Sequence, residues 1–358
     1  MKCIEKIMLY IKVIVNFRFQ TKSLAQRKID CSLWRTKFMN LVRMEDARCN
    51  ELLQEFLTCE LKKISLNKVK QKNKYSPILF CVIKNDFEKL PTFMEHYRRL
   101  GVEVFVFLDN CSTDGTREYL CTQKDVIVYS SEQEYSSVRR VAWINRLLAI
   151  YGCDRWCMVV DSDELVTFIG SEELTFRDVI RKATDKGHNR IAGFMLDMYT
   201  KDGLFMADSE DYVDKMCWFD RNSYQLRMDK NGLVIKGGPR GRMFGRQKPV
   251  LSKYPLFYFG KDDFVASSHY MTPAISKEET VVLFAICHYK FMDDKDLLKI
   301  KEAVEKENYA GNSADYKAYL SSIEKIGNLN FYDENISTQL KSSEDLHQIR
   351  FLQSIDKW

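Results

Sequence analysis

Proline and histidine are scarce in this chain of 358 residues, with six and five respectively. So few prolines exclude a collagen-like or proline-rich linker protein. No uncharged apolar run approaches the ~20 residues that cross a bilayer, which excludes a polytopic membrane protein. The eleven cysteines are scattered and odd in number, and no CxxC pair occurs; Cys153 and Cys157 are the closest two. That spacing argues against a zinc or disulfide framework and points to reduced thiols in a cytosolic compartment. The net charge is only +5, too small to indicate nucleic-acid binding. No recognition-helix pattern, internal repeat or long low-complexity segment is present.

What charge there is lies at one end. Residues 1–74 hold 17 Lys and Arg against 7 Asp and Glu, and the remainder is slightly acidic. A basic arm thus precedes an acidic body. Within the arm, Ile4, Ile7, Met8, Ile11, Ile14 and Val15 fall at helical spacing among Lys2, Lys6, Lys12 and Arg18. Two readings stand: a helix lying in a membrane interface, or one packed on the body or on another subunit. Residues 34–70 read as a second helical stretch, with Phe38, Leu41, Val42, Leu52, Leu53, Phe56 and Leu57 as its apolar stripe, and 68–77 as a linker.

From residue 78 the pattern alternates. Apolar runs at 78–83, 102–108, 126–129 and 156–160 suit buried strands; 90–100, 114–121 and 136–151 suit helices, with Gly101 and Gly152 as stops. Strands separated by helices imply βαβ units and a largely parallel sheet, with ligands at the carboxyl ends of the strands. Those ends carry acids: Asp86 after the first strand, Asp109 after the second, and Asp161-Ser162-Asp163-Glu164 after the fourth. Clustered carboxylates repel unless a cation sits among them, and Mg²⁺ or Mn²⁺ bridges such acids to phosphates. Taken singly, each motif also has a plain structural reading: Asp-Xaa-Asp as a solvated loop, and Asp109 to Thr116 as a turn feeding a helix.

The ordered set ILFCVIKND, FVFLDNCSTDGT, RWCMVVDSDEL, KGGPRGRMFG, SSHYM, CHYKF and GNSADYKAYL resembles the family 2 glycosyltransferases of GT-A fold, in particular a bacterial subgroup with DNxSTDGT and DxDE motifs. The chain departs from the subgroup at Asp86, where such proteins often carry Glu. The resemblance implies an α/β, GT-A-like (Rossmann-like), mostly parallel sheet flanked by helices, with an α-helical N-terminal extension. It divides the chain into an extension (1–75), a glycosyltransferase domain (76–325, with a nucleotide-binding half at 76–170 and an acceptor half at 171–325) and a tail (326–358).

The resemblance also implies roles. Asp86, Asp109, Arg140, Asp161 and Arg240 bind the nucleotide-sugar; Asp161, Asp163 and His288 hold Mn²⁺ or Mg²⁺; Asp197 is the first candidate for the catalytic base. Asp220 and Asp262/Asp263 are alternatives for that base, and Glu164 acts beside the metal motif. His288 also reads as a core histidine, and Gly237-Gly238-Pro239-Arg240 as a tight turn. Aromatics across 200–275, among them Phe205, Tyr212, Trp218, Tyr224 and Phe244, suit sugar rings or an ordinary core. The expected reaction moves a sugar from a nucleotide-diphosphate donor to a glycan or lipid-linked acceptor, with inversion, in surface polysaccharide or lipopolysaccharide assembly. The expected location is cytoplasmic, with the basic arm as a peripheral membrane contact. The alternatives are a nucleotidyltransferase, disfavoured because KNDFEKLP stands where a glycine-rich phosphate loop belongs, and a non-catalytic sugar-binding scaffold on the same fold.

Overall fold

The computed structural model describes residues 5, 7–12, 14, 15, 34, 35, 37, 39, 49–67, 69, 71–207, 211–229, 232–244, 249–277, 279–327 and 329–358. The chain forms two compact units. Among the described residues no helix is long and apolar enough to cross a membrane.

The first unit comprises Met1–Asn85, Val102–Val160 and Leu256–Ile275. Its centre is four parallel strands in the order β4 (Val126–Ser130), β3 (Val104–Asp109), β2 (Ile78–Ile83), β5 (Trp156–Val159). Every residue of β2, β3 and β4 is buried, as continuous Val/Ile/Phe runs require when both sheet faces are covered. Helix α3 (Thr116–Thr122) joins β3 to β4, and α4 (Ser137–Tyr151) joins β4 to β5. Ser136 caps α4 by accepting from Arg139 N at 3.1 Å, which places it just outside the helix.

The stretch expected to stay helical over 34–70 does not. Helix α1 (Cys49–Thr58) buries Leu52, Leu53, Phe56 and Leu57 and packs on α4. The chain then turns into a short strand, β1 (Lys62–Lys63), antiparallel to β4. The unpaired edge of β4 supplies the reason: Val128 O accepts from Ile64 N at 2.9 Å, and pairing there outweighs helix propensity. Phe38, Leu41 and Val42 lie outside the described residues.

The second unit comprises Asp86–Gly101, Asp161–Pro255 and Ser276–Trp358. Its strands include β14 (Val282–His288), which runs parallel to β7 (Arg190–Asp197) and antiparallel to β6 (Glu164–Thr167). Helix α2 (Leu90–Arg99) starts with proline in its first turn and buries Leu90, Phe93, Met94 and Tyr97 at i, i+3, i+4 and i+7. The Tyr97 hydroxyl donates to Glu164 O at 2.8 Å and accepts from Val166 N at 3.1 Å, tying the start of β6 to the helix. Phe244, Phe291, Tyr319 and Phe331 meet edge-on and tilted in an aromatic core. The aromatics Phe205, Trp218 and Phe244 of the expected acceptor side contribute to it.

Candidate functional site

Strand register in the second unit builds the site. On β14, His288 pairs with Glu164 of β6 on one side and with Asp197 of β7 on the other. Three chemistry-bearing residues from distant parts of the sequence thus share one sheet edge. The turn before β6 is closed by its own residues. Glu164 N donates to Asp161 O at 3.1 Å, and Asp161 N donates to Glu164 Oε2 at 3.1 Å. Tyr289 N donates to Asp163 O at 2.9 Å and pins the same turn to the end of β14.

From that turn a chain of contacts runs inward. His288 Nε2 stands 3.5 Å from Asp163 Oδ2, and His288 Nδ1 stands 2.7 Å from Asp197 Oδ1. Arg240 Nε donates to Asp197 Oδ2 at 2.7 Å, and Arg240 Nη1 donates to Tyr319 Oη at 3.3 Å. Arg240 begins close to the Gly237-Gly238 turn that opens α7 (Gly238–Met243). A Cβ on Gly237, where φ is +115°, would stand 2.2 Å from Ser223 O, so only glycine fits. The turn is structural, and it also aims Arg240 at Asp197.

Electrostatics follows from this geometry. Burial alone would raise the Asp163 carboxyl, but the charge and hydrogen bond of His288, with Lys89 and Lys290 beyond, hold it well below the usual range. Burial would likewise raise Asp197, and Arg240 and His288 outweigh it to bring that group down. Burial pulls His288 down, yet Asp163 and Asp197 on its two nitrogens raise it. Burial pushes Glu164 up, Lys253 pulls it back, and the like charges of Asp161 and Asp163 add to the push.

A second set of contacts surrounds the turn. Lys253, buried on β11 (Ser252–Tyr258), pairs with Asp161 Oδ2 at 3.1 Å and with Glu164. Ser162 Oγ donates to Asp86 Oδ2 at 2.6 Å, and Lys299 of α8 (Asp294–Lys306) pairs with the other oxygen of Asp86. Buried Lys89 holds Asp296 of the same helix at 3.0 and 3.1 Å.

The expected residues therefore separate. Asp163 and His288 face each other; with Glu164 they offer three donor atoms within 4.8 Å of one another. Asp161 lies on Lys253, outside that group. Asp197 and Glu164, expected as catalytic groups, are 2% and 1% exposed and already carry partners. Arg240, expected on the donor, spends its Nε on Asp197. Asp220, the alternative base, is fully buried among Tyr199, Ser223 and Arg242.

In the first unit, Asp109 ends β3 fully buried. Its Oδ2 accepts from Arg117 Nε at 2.7 Å, and its Oδ1 accepts from Ser112 N at 3.3 Å. Arg140 is buried and donates to Ser268 Oγ at 3.2 Å. Asp262 and Asp263 also belong to this unit, where Asp263 Oδ2 accepts from Gly260 N at 2.8 Å.

Sequence reasoning missed Lys89 and Lys253, because a lysine in an amphipathic stretch reads as solvent-facing and no local pattern marks its burial, and it missed the partly exposed Lys299 beside Asp86. It named Tyr212 only as one aromatic among many. Tyr212 is 1% exposed, packs edge-on against Tyr289 with ring centroids 4.9 Å apart, and its hydroxyl has no hydrogen-bond partner among the described residues. Burial raises that phenol; Lys89 works against the rise, and Asp163 and Asp86 add to it, so the side chain lies in the field of the site.

The donor chemistry fits a divalent cation of the Mn²⁺ or Mg²⁺ kind. Asp163 supplies an ionised carboxylate. Asp197 Oδ1, 2.7 Å from His288 Nδ1, is placed to accept a proton from that nitrogen, which would leave Nε2 toward Asp163 as a ligand nitrogen, the usual support for a metal-binding imidazole. Mn²⁺ accepts such a mixed oxygen and nitrogen set. Glu164 is held back from it by Lys253.

No protein-family model matches the chain, and no curated protein is similar to it in sequence. Among solved structures it is similar to HddC from Yersinia pseudotuberculosis, at 12% identity over 62% of this chain and 97% of that one, with a TM-score of 0.31. It is also similar to a 4-diphosphocytidyl-2C-methyl-D-erythritol synthase, at 11% identity over 77% of this chain and 97% of that one, with a TM-score of 0.25. Scores this low carry no conclusion about activity.

Proposed function

We propose that the chain is a metal-dependent glycosyltransferase that takes a sugar from a nucleotide-diphosphate donor and delivers it to a glycan or lipid-linked acceptor in surface polysaccharide assembly. The observation that carries this reading is the facing pair Asp163 and His288, with Asp197 fixing the imidazole from behind. Asp163 belongs to the Asp161-Ser162-Asp163-Glu164 motif, one of the ordered set on which the resemblance to the family 2 glycosyltransferases rests.

In this reading Asp163 and His288 hold Mn²⁺ or Mg²⁺. The ion, when bound, neutralises charge that develops on the leaving diphosphate. The rest is the work of the chain. Asp197 sets the tautomer of His288, and Arg240 keeps Asp197 ionised, so both are positioning residues. Lys253 holds Asp161 and Glu164 in the turn. Lys89 and Lys290 supply positive potential toward Asp163 and favour an anionic ligand there. A base on the acceptor hydroxyl must reach it within hydrogen-bond distance; Asp197 and Glu164, buried and already paired, do not take that part. Asp86 keeps the nucleotide contact that the resemblance gives it.

Incubation of the full chain with Mn²⁺ and UDP-, GDP- and CDP-sugars, followed by assay of free nucleoside diphosphate, tests this reading. Release from one donor class, absent in Asp163→Ala, is the expected result. Pyrophosphate formed from a nucleoside triphosphate and a sugar phosphate would instead assign a nucleotidyltransferase. No turnover with any donor, in a protein that still binds nucleotide, would point to a scaffold.

A further inference from the structure

Residues 5, 7–12, 14 and 15 are helical; all but Leu9 and Tyr10 are exposed, and besides Glu5 and Lys12 the exposed ones are apolar. Ile7, Met8 and Ile11 are 53%, 64% and 56% exposed, and Ile14 and Val15 are exposed as well. Eleven large hydrophobics are exposed among the described residues, and these five fall in this one segment; the other six are scattered along the chain. At 3.6 residues per turn the five occupy an arc of about 120°. Leu9, on the opposite side of the helix, is buried, and Lys12 flanks the stripe in solvent. The helix is thus seated by Leu9 and turned with its greasy side outward. A contiguous apolar stripe of this kind signals a missing partner.

Charge identifies the partner. Residues 1–20 contain Lys2, Lys6, Lys12 and Arg18 against Glu5 alone. A second copy docking stripe to stripe would bring two such positive segments together, which is repulsive. An anionic lipid surface accepts both features at once, apolar side chains below the headgroups and lysines among them.

We infer that this helix is a monotopic anchor that lays Ile7, Met8, Ile11, Ile14 and Val15 into the interface of a negatively charged membrane. The inference stands apart from the proposed catalysis, because none of these residues belongs to the second unit or its site. It places the protein at a lipid surface, which suits an acceptor or product that is itself membrane-bound.

Flotation of the full chain with vesicles tests it, using phosphatidylcholine alone and phosphatidylcholine with about 30% phosphatidylglycerol. The expected result is at least tenfold tighter association with the anionic vesicles, weakened by raised salt. The Ile7→Asp/Ile11→Asp double variant should lose it while keeping its circular dichroism spectrum and its oligomeric state. Lys6→Glu/Lys12→Glu should remove the preference for anionic lipid. Wild-type protein that stays unbound to anionic vesicles would overturn the inference, as would a double variant that floats like wild type. Conversion of a dimer to a monomer by the double variant, seen by light scattering, would also overturn it and assign the stripe to a second copy.

Discussion

The Nδ1 of His288 lies 2.7 Å from Oδ1 of Asp197, and the other carboxylate oxygen of Asp197 accepts from Arg240 at the same distance. His288 and Asp197 are paired in register on the parallel strands β14 and β7. The imidazole is therefore oriented by the sheet itself, with Nε2 directed at Asp163. Replacing Asp197 by Asn removes the anionic acceptor of the Nδ1 proton. Mn²⁺ affinity, read by electron paramagnetic resonance of the free ion, should fall about ten- to hundredfold.

Arg240 is the charge partner of a buried carboxylate, and its removal should act on stability first. Arg240→Met leaves buried Asp197 with His288 as its remaining partner and should cost about 3 kcal/mol in urea unfolding. Were Arg240 mainly a donor ligand, the variant would keep its unfolding midpoint and lose only nucleotide affinity.

Tyr212 makes the opposite prediction. Its hydroxyl has no partner among the described residues, so Tyr212→Phe removes no internal hydrogen bond. The unfolding midpoint should hold or rise. Donor affinity, measured by calorimetry, should stay unchanged, because the hydroxyl is buried. A lower melting temperature, or weaker donor binding, would contradict this reading of Tyr212.

His96 carries a pH dependence. Its Nε2 lies 2.9 Å from Val166 O. Burial pushes the imidazole down to about 4, even though that hydrogen bond pulls upward; Arg99 adds to the push. In the unfolded chain the group titrates near its ordinary value of about 6.5. The unfolded state thus takes up the proton first as pH falls. The contribution of neutral His96 is fully present above about pH 6.5 and is lost progressively down to about pH 4, the window in which only the unfolded state is protonated. Denaturant titrations across this window should show a slope that His96→Gln flattens. An identical slope in both proteins would contradict this assignment.

Much of the first unit is legible from residue pattern. Buried parallel strands need continuous apolar runs, and Ile78–Ile83 and Trp156–Val159 stand where those runs are. The acids at the strand ends are equally plain, since charge directly after a buried run is conspicuous. The contacts that give those acids their roles are not legible. His288 meets Asp197 across 91 residues of sequence, and Lys253 meets Glu164 across 89. Strand register decides such pairs, and register depends on the whole sheet. The resemblance places Arg240 on the donor, because a turn motif does not reveal which way its arginine points; the lock of Gly237 against Ser223 turns it inward. The β1 strand was hidden for a related reason: two lysines have no strand preference, and only the free edge of β4 recruits them.

The central claim is that Asp163 and His288 form a metal-dependent nucleotide site. Calorimetric titration of UDP, GDP and CDP into the full chain, with and without Mn²⁺, tests it most directly, with Asp163→Ala as the control. The account predicts that one nucleotide binds, only when Mn²⁺ is present, and that folded Asp163→Ala does not bind it. Binding of equal strength without metal, or undiminished binding by the variant, would contradict it.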